Sequence, residues 1–249
     1  MIRALLKRFI NAIGYDLVRR KGNLTPEELE LLNRVESYTM TSGERLAGLL
    51  HAVEYLVANQ IKGDFVECGV WRGGSMMAAA YTLLRLGDTS RHLYLYDTFE
   101  GLPPPTEKDV SYDGTPAQKY YGRTADKDPV LWCVASVEEV ERNLLSTGYP
   151  KDKIFLIKGS VEETIPQHAP AEIALLRLDT DWYESTTHEL KYLYPRLSEN
   201  GVLIIDDYGH WQGAKQAVDE FFAAQKVLPL MNRLDYTGRL LIKPSVVSS

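Results

Sequence analysis

The most informative stretch of the chain reads Asp64-Phe65-Val66-Glu67-Cys68-Gly69-Val70-Trp71-Arg72-Gly73-Gly74-Ser75. A short apolar run ends at Glu67, passes through a glycine-rich turn and continues into strong helix formers at residues 76–84. The pattern predicts a buried strand, a tight turn and the start of a helix. Because glycine has no Cβ, Gly69 and Gly73 let the backbone turn sharply and let a ligand approach the amides at the helix start.

The glycine spacing separates two classes of nucleotide-binding protein. Here it is Gly-x-x-x-Gly-Gly, whereas the dinucleotide fingerprint is Gly-x-Gly-x-x-Gly. This difference disfavours a nicotinamide enzyme. An acidic residue just before the first glycine, as in Val66-Glu67-Cys68-Gly69, resembles the first motif of class I S-adenosylmethionine-dependent methyltransferases. The alternative is an ordinary strand-to-helix turn of an α/β fold.

Composition limits the possible protein classes. A chain of 249 residues with 45% hydrophobic and 25% charged residues suits one large α/β domain. The net charge of −6 argues against a general nucleic-acid binder, which neutralises phosphates with cations. The two cysteines, Cys68 and Cys133, indicate neither a disulfide framework nor a thiolate zinc site. The sequence lacks a membrane-spanning apolar run and a secretory signal, so we expect a cytoplasmic protein.

The N-terminal region is predicted to be helical. Residues 1–13 form a basic amphipathic pattern, which could contact a membrane surface or an acidic partner, or pack on its own domain or on a second subunit. A homo-oligomer through these N-terminal helices is therefore possible. Two more helices are expected between Thr25, a plausible N-cap, and Asn59, with a break at residues 36–42. That break either covers a cofactor or is a plain connection.

Two further strands carry candidate nucleoside contacts. The strand at residues 91–97 ends at Asp97, whose two carboxylate oxygens could accept hydrogen bonds from both ribose hydroxyls. The strand at residues 153–159 ends at Ser160 and Val161, which by position alone are expected to meet the adenine. Between them runs a long polar segment to about Pro129, whose tyrosines either stack on an acceptor or pack the segment down.

Acidic residues follow two more apolar strands. The first strand ends at Asp179 and Asp181, and the second ends at Asp206 and Asp207. The carboxyl ends of neighbouring parallel strands meet at one edge of a sheet, where open α/β sheets bind ligands. Such a concentration of like charge is costly without a counter-ion, and all-oxygen ligation suits Mg²⁺ better than manganese or calcium. The alternative is that some of these acids cap the following helices.

Four motifs together resemble one enzyme family, the macrocin O-methyltransferase (TylF-like) family. They are Val66-Glu-Cys-Gly-Val-Trp-Arg-Gly-Gly-Ser75, Tyr96-Asp-Thr-Phe-Glu-Gly-Leu-Pro103, Asp179-Thr-Asp181 and Ile205-Asp-Asp-Tyr-Gly209. The resemblance extends from about Tyr38 to Pro244. It implies a metal-dependent class I methyltransferase that uses S-adenosyl-L-methionine and often methylates sugar hydroxyls of glycosylated natural products.

The resemblance implies a role for each acid. Asp179, Asp206 and Asp207 are expected to hold Mg²⁺, and Asp181 is the expected general base. Catechol O-methyltransferase uses a lysine three positions after its first metal aspartate, but Trp182 occupies that position here. His210 is a second candidate for the base. The following residues are the expected cofactor contacts: Glu67, Gly69, Gly73, Ser75, Asp97, Thr98, Ser160 and Val161.

The predicted fold is a doubly wound, Rossmann-like class I methyltransferase sheet. The sheet is expected to be mostly parallel and to end in an antiparallel hairpin formed by residues 226–231 and 239–243. Residues 1–60 are expected to form an N-terminal helical extension, and residues 61–249 one methyltransferase domain. The expected acceptor is a small, glycosylated hydroxyl compound. The competing hypotheses are a non-catalytic methyltransferase-like scaffold and a nicotinamide-dependent oxidoreductase.

Overall fold

A computed structural model describes residues 24–124 and 133–245. The predicted basic helix at residues 1–13 and the end of the polar segment at residues 125–132 lie outside this range.

Two N-terminal helices, α1 (Pro26–Val35) and α2 (Gly43–Ala58), are joined through a 3₁₀ turn at Glu36–Tyr38. Thr25 caps α1 in a reciprocal capping box with Glu28, as its sequence predicts. The apolar sides of both helices are buried in the same hydrophobic cluster as the sheet residue Phe65. The predicted boundary between an N-terminal extension and the methyltransferase domain, at residue 60, therefore falls between elements that share one hydrophobic core. The division into these two parts stays a prediction.

Seven strands form one sheet in the order β3-β2-β1-β4-β5-β7-β6. The first five are mutually parallel, and β7 pairs antiparallel with both β5 and β6. This architecture confirms the predicted fold class. The strands are β1 (Asp64–Cys68), β2 (Leu93–Asp97), β3 (Ile154–Lys158), β4 (Ile173–Leu178), β5 (Leu197–Ile205), β6 (Asn232–Arg233) and β7 (Arg239–Ile242).

Helices cover both faces of the sheet. Successive side chains of β1 point to opposite faces, so Phe65 packs with α1, α2 and α3, whereas Val66 packs with α7 and α8. The helices after α2 are α3 (Gly74–Arg85), α4 (Gln118–Thr124), α5 (Val137–Leu145), α6 (Val161–Thr164), α7 (Tyr183–Leu193) and α8 (Gln212–Ala224). Short 3₁₀ turns occupy Lys151–Lys153 and Tyr194–Arg196. In the described part of the chain, every helix is too short or too polar to span a bilayer.

Three local expectations need correction. The first arm of the C-terminal hairpin is Asn232–Arg233 rather than residues 226–231. The sequence pattern predicts a helix from about Ser185 to Leu197 and a strand from Val202. The helix instead ends at Leu193, because Pro195 cannot continue it, and β5 begins at Leu197. The long polar segment contains a helix, α4, which its sequence did not indicate.

Two glycines of the β1–α3 turn allow close packing of the backbone. Gly69 has φ 80°, and a Cβ at this position would overlap the carbonyl group of Asp179. A Cβ on Gly74 would lie 2.6 Å from the backbone of Tyr38. The turn therefore brings the end of β4 and the α1–α2 connection to the same place, at the carboxyl edge of the sheet.

Candidate active site

A cavity of about 460 Å³ lies at the carboxyl edge of the sheet. Most of the site residues predicted from the sequence line this cavity. Those lining it are Gly69, Ser75, Asp97, Thr98, Ser160, Val161, Asp179, Asp181, Asp206, Asp207 and His210. Glu67 and Gly73 are absent from the lining, and their predicted contact with the cofactor stays a prediction.

The connection between α1 and α2 covers this cavity. Thr39, Met40 and Thr41 all line it, which favours the first of the two interpretations of the break at residues 36–42. Thr41 Oγ1 also accepts a hydrogen bond of 2.9 Å from Nη2 of Arg177. The N-terminal helices are therefore part of the site wall.

Asp97 organises the glycine turn. Its Oδ2 accepts hydrogen bonds from the backbone N–H groups of Val70 (2.7 Å) and Trp71 (3.0 Å). Its Oδ1 accepts one from Phe99 N–H at 2.7 Å. Burial raises the pKa of Asp97, while these backbone hydrogen bonds oppose the shift. Thr98 Oγ1 donates a fourth, longer hydrogen bond of 3.4 Å to Oδ1. A carboxylate can accept about four hydrogen bonds, so a ribose, the predicted ligand, would have to displace one of these donors.

Asp179, Asp206 and Asp207 come together as the sequence predicted. One carboxylate oxygen from each lies within 4.8 Å of the others. Asp207 Oδ2 is buried and has no hydrogen-bond partner. The alternative role as helix caps is not observed, because the N-caps of α7 and α8 are Trp182 and Trp211 and neither forms a side-chain cap.

A buried arginine, which the sequence interpretation missed, neutralises part of this charge. Arg177 Nη1 lies 2.7 Å from Glu67 Oε1 and 2.8 Å from Asp179 Oδ2, and Nη2 lies 2.7 Å from Asp206 Oδ1. Burial acts to lower the pKa of Arg177, but the Asp179 and Glu67 carboxylates outweigh it and raise the pKa, so the side chain stays cationic. An arginine inside an apolar strand was itself a signal, since buried charges are rarely unpaired.

Arg45 of α2 supplies a second cation. It pairs with Asp206 Oδ2, and its Nε lies 3.0 Å from Asp235 Oδ2 in the C-terminal hairpin. Ser42, the N-cap of α2, donates a 2.7 Å hydrogen bond to the same Asp235 oxygen. No sequence pattern near Arg45 indicates these contacts, because its partners lie far away along the chain.

The donor set fits a hard divalent cation. The cluster offers only oxygen ligands, and the carboxylates around it outnumber the two arginines. Burial raises the pKa of Asp207, and the neighbouring carboxylates of Asp181 and Asp179 raise it further. A cation bound beside Asp207 Oδ2 would offset the repulsion between these carboxylates. It would also give that oxygen the partner that it lacks.

Asp181 faces the same cavity in an unusual backbone conformation. Its φ is 65°, in the left-handed region that non-glycine residues adopt uncommonly and that aspartate tolerates better than most. Trp211 Nε1 donates a 2.7 Å hydrogen bond to Asp181 Oδ1. Burial, followed by repulsion from Asp179, raises the pKa of Asp181 to about 7. In the metal-free protein this carboxylate can therefore exchange a proton near neutral pH.

His210 and Trp182 complete the wall around Asp181. His210 lines the cavity, its pKa is lowered by burial, and its Nδ1 lies 3.1 Å from Tyr236 Oη. Trp182 stands where a catechol-type enzyme would have lysine, and its Nε1 donates a 2.9 Å hydrogen bond to Pro103 O. Trp182 thus anchors the Asp-Thr-Phe-Glu-Gly-Leu-Pro segment instead of serving as a base.

The sheet order, the antiparallel C-terminal hairpin and a cavity at the carboxyl edge define a Rossmann-like class I methyltransferase fold. The chain belongs to the macrocin-O-methyltransferase (TylF) family, whose model matches residues 19–243. The protein is therefore an O-methyltransferase. This assignment sets aside the oxidoreductase and the non-catalytic scaffold.

Characterised relatives have the same activity. A tetracenomycin-C rhamnosyl 4'-O-methyltransferase of Streptomyces olivaceus is 34% identical over 202 residues, which are 81% of this chain and 74% of the relative. The mycinamicin III 3''-O-methyltransferase of Micromonospora griseorubida is 33% identical over 212 residues, 82% of this chain and 81% of that protein.

Solved structures agree with the fold. The O-methyltransferase NovP superimposes with a TM-score of 0.73 at 28% identity, covering 98% of both chains. The calicheamicin methyltransferase CalS11 gives a TM-score of 0.57 at 19% identity, covering 92% of this chain and 98% of CalS11. At that identity the second match supports the fold alone.

Proposed function

We propose that this protein transfers a methyl group from S-adenosylmethionine to a sugar hydroxyl of a glycosylated small molecule, and that it requires Mg²⁺. The observation that carries the proposal is the juxtaposition of Asp181 with the Asp179, Asp206 and Asp207 cluster in one cavity. The family supplies the reaction class. The cavity suggests how the reaction is performed.

The nucleoside part of the methyl donor is assigned to the turn side of the cavity. Asp97 lines this side, where ribose hydroxyls could replace its long hydrogen bond from Thr98, and Ser160 and Val161 line the region expected to hold the adenine. Gly69 and Ser75 lie on the wall at the start of α3, where backbone amides favour a carboxylate. The bound sulfonium would supply an electrophilic methyl carbon whose C–S bond breaks as the new C–O bond forms.

The metal is assigned to Asp179, Asp206 and Asp207. A bound Mg²⁺ would lower the pKa of an acceptor hydroxyl and fix its orientation. Arg177 and Arg45 hold the carboxylates of Asp179 and Asp206 in place, so the cluster is organised before any ligand arrives. Such preorganisation reduces the cost of positioning the reactants.

Asp181 is assigned as the base that receives the hydroxyl proton. The hydrogen bond from Trp211 fixes the orientation of its carboxylate, which also has a hydrogen bond with Asp207. His210 is the second candidate because it lines the same wall. Burial lowers the pKa of His210, so it is neutral near pH 7 and has a nitrogen able to accept a proton.

A sugar acceptor is supported by the relatives and by the wall around Asp181. One relative is named for a rhamnosyl compound, and the aromatic rings of Trp182 and Trp211 lie 5.0 Å apart beside Asp181. Aromatic side chains combine a large apolar face with a polar edge, which suits the two kinds of surface that a sugar presents.

The proposal is tested by methyl transfer from labelled S-adenosylmethionine to a panel of glycosides, with Mg²⁺ or with EDTA. We expect labelled glycosides with Mg²⁺ and a loss of transfer in EDTA that Mg²⁺ restores. A calorimetric titration of S-adenosylhomocysteine, with NAD as the control, checks the cofactor separately. Transfer that persists in EDTA would refute the metal requirement, and absence of S-adenosylhomocysteine binding would refute the assigned cofactor.

A further inference from the structure

A second cavity of about 650 Å³ adjoins the first on the outer side of Asp181. The two share His210, Trp211 and Tyr236. The outer cavity also includes Tyr112, which does not line the inner one. The two cavities therefore adjoin each other at these three residues.

The shared wall is aromatic. Ring centroids are 4.7 Å apart for His210 and Trp211, 5.7 Å for Tyr112 and His210, and 6.4 Å for Tyr112 and Tyr236. Trp211 is the innermost of these aromatic residues, because it donates a hydrogen bond to Asp181. The four residues Tyr112, His210, Trp211 and Tyr236, here called the aromatic wall, thus lead from the proposed base to the protein surface.

The outer end of the aromatic wall is exposed. Tyr112 is 66% exposed and Tyr236 is 55% exposed. Beyond its contacts with His210 and Tyr236, Tyr112 therefore presents a ring surface on which a ligand can stack. Large aromatic surfaces that remain exposed in a cluster commonly mark binding sites.

Tyr112 is nonetheless held in place. Its neighbour Ser111 forms a β-bridge with Trp211, and Gln212 Nε2 donates a 3.0 Å hydrogen bond to Ser111 O. The fully buried Asp109 accepts hydrogen bonds from Thr106 N–H and Tyr183 N–H. The backbone of the segment carrying Tyr112 is thereby tied to the starts of α7 and α8. This places the Tyr112 ring beside His210 and Tyr236.

The charged side chains near the outer cavity are of both signs. Lys215, Arg233 and Arg239 are accompanied by Asp219 and Glu220 around it. Lys215 and Asp219 form an ion pair with each other. The feature that distinguishes the outer cavity is its aromatic surface, which favours an uncharged, flat ligand.

We infer that the aromatic wall binds the aglycone of the acceptor, and that this aglycone is a flat, fused or aromatic ring system. The inference rests on the proposed function, since it assumes that the sugar lies at Asp181. Tyr112 is then a specificity-determining residue. It selects among glycosides by what is attached to the sugar rather than by the sugar itself.

The test compares two glycosides of one sugar, 4-methylumbelliferyl α-L-rhamnoside and methyl α-L-rhamnoside. Each is titrated into protein saturated with S-adenosylhomocysteine and Mg²⁺, and the dissociation constants are measured by calorimetry. We expect the aryl glycoside to bind at least tenfold more tightly. Tyr112→Ala should remove most of this preference, whereas Tyr112→Phe, which keeps the ring, should retain it.

Tyr120→Ala is the matched control. Tyr120 belongs to the same polar segment and is 52% exposed, but it lines neither cavity, so its replacement should leave the preference unchanged. Equal affinities for the two glycosides would overturn the inference, as would no detectable binding of the aryl glycoside or an unchanged preference in Tyr112→Ala. Failure to bind S-adenosylhomocysteine would instead refute the proposed function, and the two failures are therefore distinguishable.

Discussion

Asp207 differs from the other two acids of the cluster because one of its buried oxygens has no partner. Asp206 is paired with Arg45 and Arg177, and Asp179 is paired with Arg177. A cation should therefore depend strongly on Asp207. We expect Asp207→Asn to lower Mg²⁺ affinity by about tenfold or more while leaving S-adenosylhomocysteine affinity within about twofold. Calorimetric titration of Mg²⁺ measures the change.

Asp219→Asn is the control for this change, since Asp219 is a surface carboxylate of α8 that pairs with Lys215. It should bind Mg²⁺ like the unaltered protein. If Asp207→Asn also kept full Mg²⁺ affinity, the metal would have to be assigned to other residues.

Glu67 gives a pH-dependent stability prediction. Burial raises its pKa to about 7, although the Arg177 guanidinium opposes the shift. The folded protein therefore retains a proton that the unfolded chain releases above about pH 4.5, and stability falls as the pH rises from there to about 7. Glu67→Gln imitates the protonated form and does not titrate. Its free energy of unfolding, relative to that of the unaltered protein, should therefore rise as the pH increases from 4.5 to 7, by up to about 3 kcal/mol.

Urea unfolding of both proteins at several pH values in EDTA measures this difference. Glu30→Gln is a suitable control, because Glu30 is 67% exposed in its pair with Arg34. A constant difference between Glu67→Gln and the unaltered protein from pH 4.5 to 7 would contradict the assignment of a raised pKa to Glu67.

At the scale of single elements, the β1–α3 turn joins two strand ends. Gly69 and Gly87 both have positive φ, 80° and 74°, but a Cβ on Gly69 would overlap the Asp179 carbonyl, whereas nothing lies within 4 Å of a Cβ on Gly87. Gly87→Ala should therefore cost only the backbone strain, about 1–2 kcal/mol. Gly69→Ala should cost about 2 kcal/mol more, because β4 must shift.

Since Asp179 follows β4, Gly69→Ala should also weaken Mg²⁺ binding, and Gly87→Ala should not. Urea unfolding and calorimetric titration provide the two measurements. Equal losses of stability in the two variants would mean that β4 accommodates the added methyl group without displacement.

The elements with strong local signals were predicted well. The capped start of α1 at Thr25 and the strand that ends at Asp97 were both found from sequence patterns. The errors occurred where tertiary contacts override such patterns. Residues 226–231 have strand-like composition, yet Leu228 and Leu230 remain exposed and the short strand forms at Asn232–Arg233, beside β7.

At the scale of the whole molecule, sheet topology explains which parts of the site were predictable. Parallel strands end at one edge, so Asp179, Asp206 and Asp207 could be placed together from strand order alone. The contact of Arg45 with Asp206 could not be predicted, because it depends on how α2 docks against the sheet. Local sequence periodicity does not indicate how two elements dock.

The docking of α1 and α2 leads to a prediction about cooperativity. Leu50 of α2 is completely buried, and it belongs to the same cluster as the sheet residue Phe65. If these helices and the sheet form one folding unit, Leu50→Ala should shift the whole unfolding transition by about 2–5 kcal/mol without changing its slope against urea. Fluorescence and circular dichroism should report the same midpoint.

Leu228→Ala provides the matched control, because the same truncation removes a side chain that is 98% exposed. It should leave the midpoint within about 0.5 kcal/mol. A separate early transition in Leu50→Ala, with the remaining transition unmoved, would instead mean that residues 24–60 unfold as an independent cap. A single shifted transition would mean that Arg45 reaches Asp206 only when the entire domain is folded, so the charge balance of the acid cluster is a property of the complete fold.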